Sequence, residues 1–359
     1  MDPATQAQLT ILRRQYFQLV EPTHLRWPDD KILKTFPVQS WIFDNLFDRD
    51  KIPSAPPDRY RLRILKILVS NLERAIEDPD EDEILDDLMT ALSSLVSTTL
   101  PSETTAAQQK ASVTYAYPVH PSDDSESGNF TVAILESRNI LSSSGTTGLR
   151  TWEASLLLGS YLVTSETGRR MIEGKRVFEL GAGAGMLSIL CAKYLAVSGI
   201  VASDGDEVIV DMIKDNIFLN GLDTESVSHS VLRTASLKWG RSIDAVTFSE
   251  DYGMEIPDVV LGADVTYDRY AIPSLVSTLR EFFQLNPALQ VLIAATIRNE
   301  KTFETLQNAC RRNGFSLELV EFPLVPEHLQ EGPFYSITPP IQIWRITQPR
   351  QSYRDPFAL

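Results

Sequence analysis

Cysteine and histidine are scarce in this chain of 359 residues, which contains two cysteines and four histidines. Cys191 and Cys310 lie far apart with no CxxC pair, and no two histidines have the spacing of a metal-binding pair. This pattern argues against a disulfide framework and a structural zinc site, and it favours a reducing compartment. We therefore expect no metal.

Basic residues are outnumbered as well, since 33 Lys and Arg stand against 48 Asp and Glu, for a net charge of −15. A nucleic-acid-binding protein normally has the opposite balance, because contacts to phosphates need Lys and Arg. An anionic membrane surface is disfavoured for the same reason. We expect neither nucleic acid nor membrane among the partners.

Long apolar runs are also missing. The best candidate for a membrane span, residues 154–163, is too short to cross a bilayer. The N-terminal sequence MDPATQAQLTILRRQYF has no apolar core of the kind found in secretory signals. These absences predict a cytoplasmic protein, and nothing in the sequence demands more than a monomer.

Residues 1–100 are predicted to form an N-terminal helical domain, because apolar residues recur there at helical spacing. Within it, residues 77–87 contain eight acidic side chains and no Lys or Arg. We interpret this cluster as a solvated surface, with docking of a basic patch on a substrate as the alternative. The Ser/Thr-rich residues 101–111 are predicted to be a linker.

Residues 112–359 are assigned to a second domain, in which strands and helices alternate from residue 151 onward. This alternation predicts a parallel, doubly wound α/β sheet. The seven strands of that sheet are predicted at 176–180, 199–203, 228–232, 258–262, 290–295, 315–320 and 340–346. No helix separates the last two strands, which predicts an antiparallel final hairpin. Two further strands are predicted at 113–117 and 130–135, on either side of a Ser-rich segment.

The strongest local signal is the sequence Glu-Leu-Gly-Ala-Gly-Ala-Gly at residues 179–185, between a predicted strand and a predicted helix. Glycines there allow a ligand to approach the backbone, and the helix N-terminus offers free N–H groups. A dinucleotide fingerprint needs glycine at the first, third and sixth positions. Counted from Gly181 or Gly183, the sixth position is Met186 or Ser188, so a dehydrogenase is disfavoured.

This spacing resembles motif I of the seven-β-strand, class I S-adenosylmethionine methyltransferases, whose Rossmann-like sheet has an antiparallel last strand. The resemblance implies S-adenosyl-L-methionine as the cofactor. It also implies that five residues of the motif bind it: Glu179, Gly181, Ala182, Gly183 and Gly185. The alternative is a glycine-rich turn that only packs a helix on a strand.

An acidic residue is expected at the end of the next strand, where that family binds the ribose hydroxyls of the cofactor. Asp204 has this position, and Asp206 is the nearby competitor. The alternative is that Asp204 only caps the following helix.

Asp264 and Tyr267 follow the strand predicted at 258–262. Ligands of open α/β sheets bind beyond the carboxyl ends of the strands, so Asp264 should face the cofactor cleft. The Asp-x-x-Tyr pattern resembles the signature of the protein-lysine branch of the same family. It implies that Asp264 and Tyr267 are catalytic and that Ala263 contacts the cofactor. The alternatives are a helix cap for Asp264 and plain packing for Tyr267.

Trp152 and Trp239 occur where the protein-lysine branch has tryptophans beside its cofactor, although core packing is the alternative for both. Lys238 departs from the acid that relatives often have before the second tryptophan. Residues 295–299, Ala-Thr-Ile-Arg-Asn, and the helical N-terminal domain resemble the subgroup that methylates elongation factor 2.

The resemblance therefore implies a protein-lysine N-methyltransferase whose substrate is a translation factor, elongation factor 2. A lysine of a different protein is one alternative, and a non-catalytic adaptor or chaperone that retains the cofactor fold is another. Arg298 and Tyr335, near the ends of later strands, are candidates for the border of the substrate channel.

Overall fold

The computed structural model describes residues 1–52, 54–78, 82–102, 109–119, 129–137, 148–222 and 231–349. The chain divides into two compact units, Met1–Thr147 with His328–Phe334, and Gly148–Glu327 with Tyr335–Leu359. The Ser-rich segment 122–128 and residues 103–108 of the predicted linker lie outside the described residues.

In its described residues, the first unit contains helices and a pair of antiparallel strands. Its helices are α1 (Pro3–Phe17), α2 (Asp30–Leu33), α3 (Phe36–Ile42), α4 (Asp58–Ala75) and α5 (Asp86–Ser97), and strands β1 (Lys110–Pro118) and β2 (Asn129–Ser137) pair in antiparallel fashion. Asp2 begins α1 by accepting hydrogen bonds from the backbone N–H groups of Ala4 and Thr5. The prediction of helices in residues 1–100 is confirmed by α1 to α5.

The apolar face of α1 lies in the core of this unit. Leu9, Leu12 and Tyr16 are buried, and the ring of Tyr16 is 5.6 Å from that of Phe47 and 5.8 Å from that of Tyr60. The helical spacing found in the sequence therefore corresponds to a buried stripe.

A late segment of the chain, His328–Phe334, also belongs to the first unit. The backbone N–H of Phe334 donates to Oε1 of Gln18 at 2.8 Å, and Nε2 of Gln18 donates to the carbonyl of Phe334. The guanidinium of Arg26 donates to the carbonyl of His328 at 2.9 Å and lies over the ring of Phe334. Nothing in the sequence indicates this arrangement.

The second unit contains a seven-stranded sheet in the order β5-β4-β3-β6-β7-β9-β8. The strands are β3 (Arg176–Leu180), β4 (Gly199–Asp204), β5 (Leu232–Ser236), β6 (Val259–Ala263), β7 (Gln290–Thr296), β8 (Ser316–Val320) and β9 (Ile341–Thr347). Neighbours from β5 to β7 are parallel, whereas β9 is antiparallel to both β7 and β8. The predicted sheet and its antiparallel last strand are confirmed.

Seven helices belong to the described part of the second unit. They are α6 (Glu153–Thr164), α7 (Glu166–Ile172), α8 (Met186–Tyr194), α9 (Glu207–Leu219), α10 (Phe248–Tyr252), α11 (Ile272–Leu285) and α12 (Glu300–Arg312). The core beneath them is largely aromatic and aliphatic. The ring of Phe178 on β3 lies 5.1 Å from that of Phe282 on α11, and both are fully buried. Continuous burial on both faces explains the apolar runs of the central strands.

Two boundaries differ from the sequence prediction. The strand predicted at 228–232 is found at Leu232–Ser236, where Leu232 pairs with Ile200, and residues 228–230 lie outside the described residues. Strand β5 is at the edge of the sheet and has a polar sequence, so its apolar signal is weak. Strands β1 and β2 pair with each other and fall in the first compact unit, whereas the sequence assigned them to the second domain.

Among the described helices, none has the length and apolar character needed to cross a bilayer. Within the same residues, no group of three or more His, Cys, Asp or Glu side chains has an arrangement that could hold a metal ion.

Candidate active site

The glycine-rich loop joins β3 to α8 and has a conformation that requires its glycines. Gly181, Gly183 and Gly185 have positive φ angles of 64°, 54° and 81°. A Cβ atom on Gly185 would come within 2.8 Å of a side-chain carbon of Ile213, and one on Gly181 within 2.8 Å of a side-chain carbon of Val265. The backbone conformation therefore disfavours larger residues at all three positions, and packing also disfavours them at Gly181 and Gly185.

Hydrogen bonds from neighbouring elements fix this loop. The N–H of Ala182 donates to the carbonyl of Ser203 at 2.8 Å, and Nδ2 of Asn216 donates to the carbonyl of Ala184 at 2.9 Å. Asn216 is fully buried on α9. Asn216 was not predicted as a site residue, because a single Asn in an apolar helix carries no distinctive signal.

Glu179, on β3, lies beneath the loop and is only 2% exposed. Its carboxyl group accepts a hydrogen bond from the hydroxyl of Ser188, and its backbone carbonyl accepts one from the hydroxyl of Ser203 at 2.7 Å. Burial raises the pKa of Glu179 to about 7. Its described contacts are with residues that support the loop.

Asp204 is the last residue of β4 and touches the loop directly. Its Oδ2 atom accepts a hydrogen bond from the N–H of Gly183, and its Oδ1 atom one from the N–H of Asp206, both at 3.2 Å. Burial raises the pKa of Asp204. The cap of α9 is Asp206, which accepts from the N–H of Val208 at 2.9 Å. The helix-cap alternative for Asp204 is therefore wrong.

Two further candidate cofactor residues belong to elements next to the loop: Trp239 follows β5 and Ala263 ends β6. Trp239 is half-buried, and its indole carbon Cζ2 would be 3.3 Å from a Cβ atom on Gly181. Ala263 ends β6, next to β3, and pairs with Ala294 on β7. The carboxyl ends of these parallel strands thus bring Asp204, Trp239 and Ala263 around the glycine-rich loop.

Asp264 comes directly after β6, is 8% exposed and has a φ angle of 53°. Its Oδ1 atom accepts a hydrogen bond from the N–H of Thr296 at 2.8 Å, and its Oδ2 atom accepts one from the hydroxyl of Thr296 at 2.9 Å. The following helix, α11, begins eight residues later at Ile272, with Ala271 as its cap residue, so Asp264 is not a helix cap. A left-handed backbone at a non-glycine residue is costly and is found most often at functional sites.

The pKa of Asp264 is raised by burial, while the hydrogen bonds from Thr296 and the charge of Arg298 oppose that rise. Nη2 of Arg298 lies 3.5 Å from Oδ2 of Asp264 and 3.3 Å from Oε2 of Glu153. Thr296 and Glu153 were not predicted as members of this site. Thr296 lies inside the segment 295–299 and Glu153 directly follows Trp152, and these positions were their only signal in the sequence.

Trp152 lies beside this group, just before α6, and is half-buried. The guanidinium carbon of Arg298 is 5.2 Å from the centre of its ring, and that of Arg150 is 5.5 Å from it. Helix α6 packs on β6, β7 and β9, which explains why Trp152, just before this helix, reaches the carboxyl ends of β6 and β7.

The two tyrosines have different surroundings. Tyr267 is 62% exposed, so core packing does not explain it. Tyr335 is half-buried and forms a hydrogen bond with Ser160 on α6, and burial raises its pKa to about 12. The described contacts bring Arg298 to Asp264, but they do not bring Tyr335 there.

The donor and acceptor groups around the loop suit a small ligand with hydroxyl groups and an aromatic ring. A carboxylate offers about four acceptor positions, and the described bonds of Asp204 use two of them. The N-terminus of α8 presents backbone N–H groups, and Trp239 offers an aromatic surface.

Comparisons with known proteins agree with this geometry. A family model described as lysine methyltransferase matches residues 135–311. Protein-lysine N-methyltransferase EFM3 of Chaetomium thermophilum is 44% identical over 333 residues, which cover 92% of this chain and 95% of the relative. The EFM3 protein of Saccharomyces cerevisiae is 31% identical and covers 60% of this chain and 66% of its own.

The human protein-lysine N-methyltransferase EEF2KMT is 30% identical over 56% of this chain and 59% of its own. The similarity to the Chaetomium thermophilum protein extends over nearly the whole of both chains. The chain therefore belongs to the protein-lysine methyltransferase family and is a protein-lysine N-methyltransferase.

Proposed function

We propose that this protein transfers a methyl group from S-adenosyl-L-methionine to a lysine of translation elongation factor 2 in the cytoplasm. The observation that carries the proposal is the buried carboxylate of Asp264, held by Thr296 beside the glycine-rich loop. A single ionisable group of this kind suits a reaction whose main requirement is an amine that has lost its proton.

The cofactor would bind at the carboxyl ends of β3, β4 and β6. We assign to cofactor binding the loop residues Gly181, Ala182, Gly183 and Gly185. The carboxylate of Asp204 would accept hydrogen bonds from the hydroxyl groups of the cofactor, and Glu179 would support the loop from beneath. Trp152, Trp239 and Ala263 complete the assignment. Bound there, S-adenosyl-L-methionine would supply its sulfonium methyl group to the neutral amine of the lysine, with the S–C bond breaking as the N–C bond forms.

The lysine side chain is the group on which the protein must act. A free lysine is almost fully protonated at neutral pH, so the site has to orient the ammonium group and take up one proton. Asp264 can do both, because its carboxylate is fixed by two bonds from Thr296 and burial brings its pKa closer to neutrality. Tyr267, three residues after Asp264 in the chain and 62% exposed, would provide a wall for the lysine stem.

Three observations support elongation factor 2 as the substrate. The human relative is named protein-lysine N-methyltransferase EEF2KMT. Residues 295–299 and the N-terminal helices resemble the same subgroup.

We assign methyl transfer to the domain at 112–359 and propose that the helical domain at 1–100 assists this reaction.

The test is incubation of the protein with methyl-labelled S-adenosyl-L-methionine and a lysate from cells that lack it. We expect one labelled protein band that migrates as elongation factor 2. Label in another protein would refute the substrate, and label in small molecules alone would refute protein methylation.

A further inference from the structure

Arg298 has an unusual set of neighbours for a residue that is 40% exposed. One guanidinium nitrogen lies between two carboxylates, 3.5 Å from Asp264 and 3.3 Å from Glu153. The same guanidinium lies over the ring of Trp152 at 5.2 Å. Arg298 follows the end of β7, two residues after Thr296, and Thr296 is the residue whose hydrogen bonds fix Asp264.

Each of these contacts restricts the guanidinium group. A planar guanidinium stacks on an aromatic face and still donates hydrogen bonds from its edge, which an ammonium group does less well. An exposed ion pair alone contributes little, but a cation shared by two carboxylates and a ring has few alternative positions. The contacts therefore hold a positive charge at a fixed place beside Asp264.

We propose that Arg298 is a positioning residue for Asp264, that Glu153 and Trp152 hold it there, and that its charge keeps the Asp264 carboxylate ionised and oriented for the incoming lysine. This inference rests on the proposed role of Asp264. Arg298 itself transfers no proton and touches no reacting atom.

The physical need for such a residue comes from burial. Asp264 is nearly inaccessible to water, which favours the neutral acid, and a neutral acid cannot take the proton of a lysine. Among the residues that the structure describes, the charged groups that act on Asp264 are Arg298, which favours the ionised form, and Glu153, which opposes it. The positive charge of Arg298 therefore opposes the rise in the pKa of Asp264 that burial causes.

The test compares Arg298→Met and Arg298→Lys with the wild-type protein in two measurements. The first is the pH dependence of kcat for methylation of elongation factor 2, and the second is a carboxyl ¹³C NMR titration of Asp264, assigned with Asp264→Asn. In Arg298→Met we expect the acid limb of kcat and the NMR midpoint to move to higher pH by about one unit or more. Arg298→Lys should restore most of that shift, because it retains the charge.

Arg150→Met is the matched control, because Arg150 also stacks on Trp152 and lies 3.5 Å from Glu153, whereas its described contacts do not include Asp264. It should leave both midpoints in place. In Arg298→Met, the cofactor affinity measured by calorimetry should stay within about twofold of wild type. The midpoint temperature of unfolding should stay within a few degrees of wild type.

Unchanged pH midpoints in Arg298→Met would overturn the inference, and so would an equal shift in Arg150→Met. Failure of the proposed function looks different, because the wild-type protein would then methylate no lysine of elongation factor 2. The NMR titration does not depend on that substrate and still decides whether Arg298 controls Asp264.

Discussion

At the scale of single residues, the site depends on three buried or half-buried carboxyl groups whose pKa values burial raises: Glu179, Asp204 and Asp264. Their partners differ. Glu179 is bonded to Ser188 beneath the loop, Asp204 to the loop backbone, and Asp264 to Thr296 and Arg298. The same functional group, a carboxyl, therefore serves as support in Glu179, as a candidate ligand group in Asp204 and as the candidate base in Asp264.

Glu179 makes stability depend on pH. With a pKa of about 7 in the folded protein and an ordinary value of 4.5, the folded state binds more protons than the unfolded state between these pH values. The free energy of unfolding should therefore fall as pH rises through this window, by at most about 3 kcal/mol, and stay lower above it. Glu179→Gln should remove this part of the fall.

The measurement is urea denaturation of both proteins at pH 5 and pH 8. Titrating groups that do not interact with Glu179 contribute to both proteins alike, so the difference between the two pH effects reports Glu179 together with its coupling to Asp204. An identical loss of stability in wild type and Glu179→Gln would contradict the assignment.

At the scale of elements, the glycine-rich loop combines two requirements that substitutions can separate. Gly185 has a positive φ angle and no space for a Cβ atom, whereas Gly174 has a φ angle of 67° and no atom within 4 Å of such a Cβ. Gly174→Ala should cost about 1–2 kcal/mol from backbone conformation alone.

Gly185→Ala should cost more than Gly174→Ala, by about 1–3 kcal/mol, because the methyl group meets Ile213. Thermal unfolding of both variants measures this difference. Equal costs would mean that Ile213 moves aside freely and that packing does not constrain the loop.

A helix or strand of the second unit could be predicted where its own residues, or those next to it in the sequence, mark it. The spacing at 179–185, the apolar strands β3, β6 and β7, and Gly314 after α12 each mark an element by its own sequence. Strand β5 was placed four residues early, because an edge strand with polar residues has little periodicity.

The contacts of the candidate site were less predictable. The sequence indicated that Asp264 lies at a strand end, but Thr296 and Glu153 reach it only through the pairing of β6 with β7 and the packing of α6 on these strands. Such neighbours are distant in the chain. They follow from topology, which residue spacing does not specify.

At the scale of the whole molecule, the two compact units alternate along the chain, since His328–Phe334 lies in the first unit between parts of the second. Two side chains near the early helices form hydrogen bonds with the backbone of this segment. Gln18 forms two with Phe334, and Arg26 donates one to the carbonyl of His328. The N-terminal unit therefore includes residues that join β8 to β9 in the sequence.

Gln18→Ala should free the backbone of Phe334 and lower the free energy of unfolding by about 1–3 kcal/mol. Amide hydrogen exchange should become faster at Phe334. Gln8→Ala, at an exposed position of α1, is the control. It should leave the free energy of unfolding within about 0.5 kcal/mol of wild type and the exchange rate at Phe334 unchanged. Unchanged exchange at Phe334 in Gln18→Ala would contradict this anchoring.

The most direct test of the account is peptide mass spectrometry of elongation factor 2 after incubation with S-adenosyl-L-methionine and either the wild-type protein or Asp264→Asn. Calorimetry should give both proteins a similar affinity for the cofactor. We predict that the wild-type protein adds methyl groups to one lysine and that Asp264→Asn does so at least about 100-fold more slowly. Methylation at the wild-type rate by Asp264→Asn, or the absence of any methylated lysine with the wild-type protein, would contradict the account.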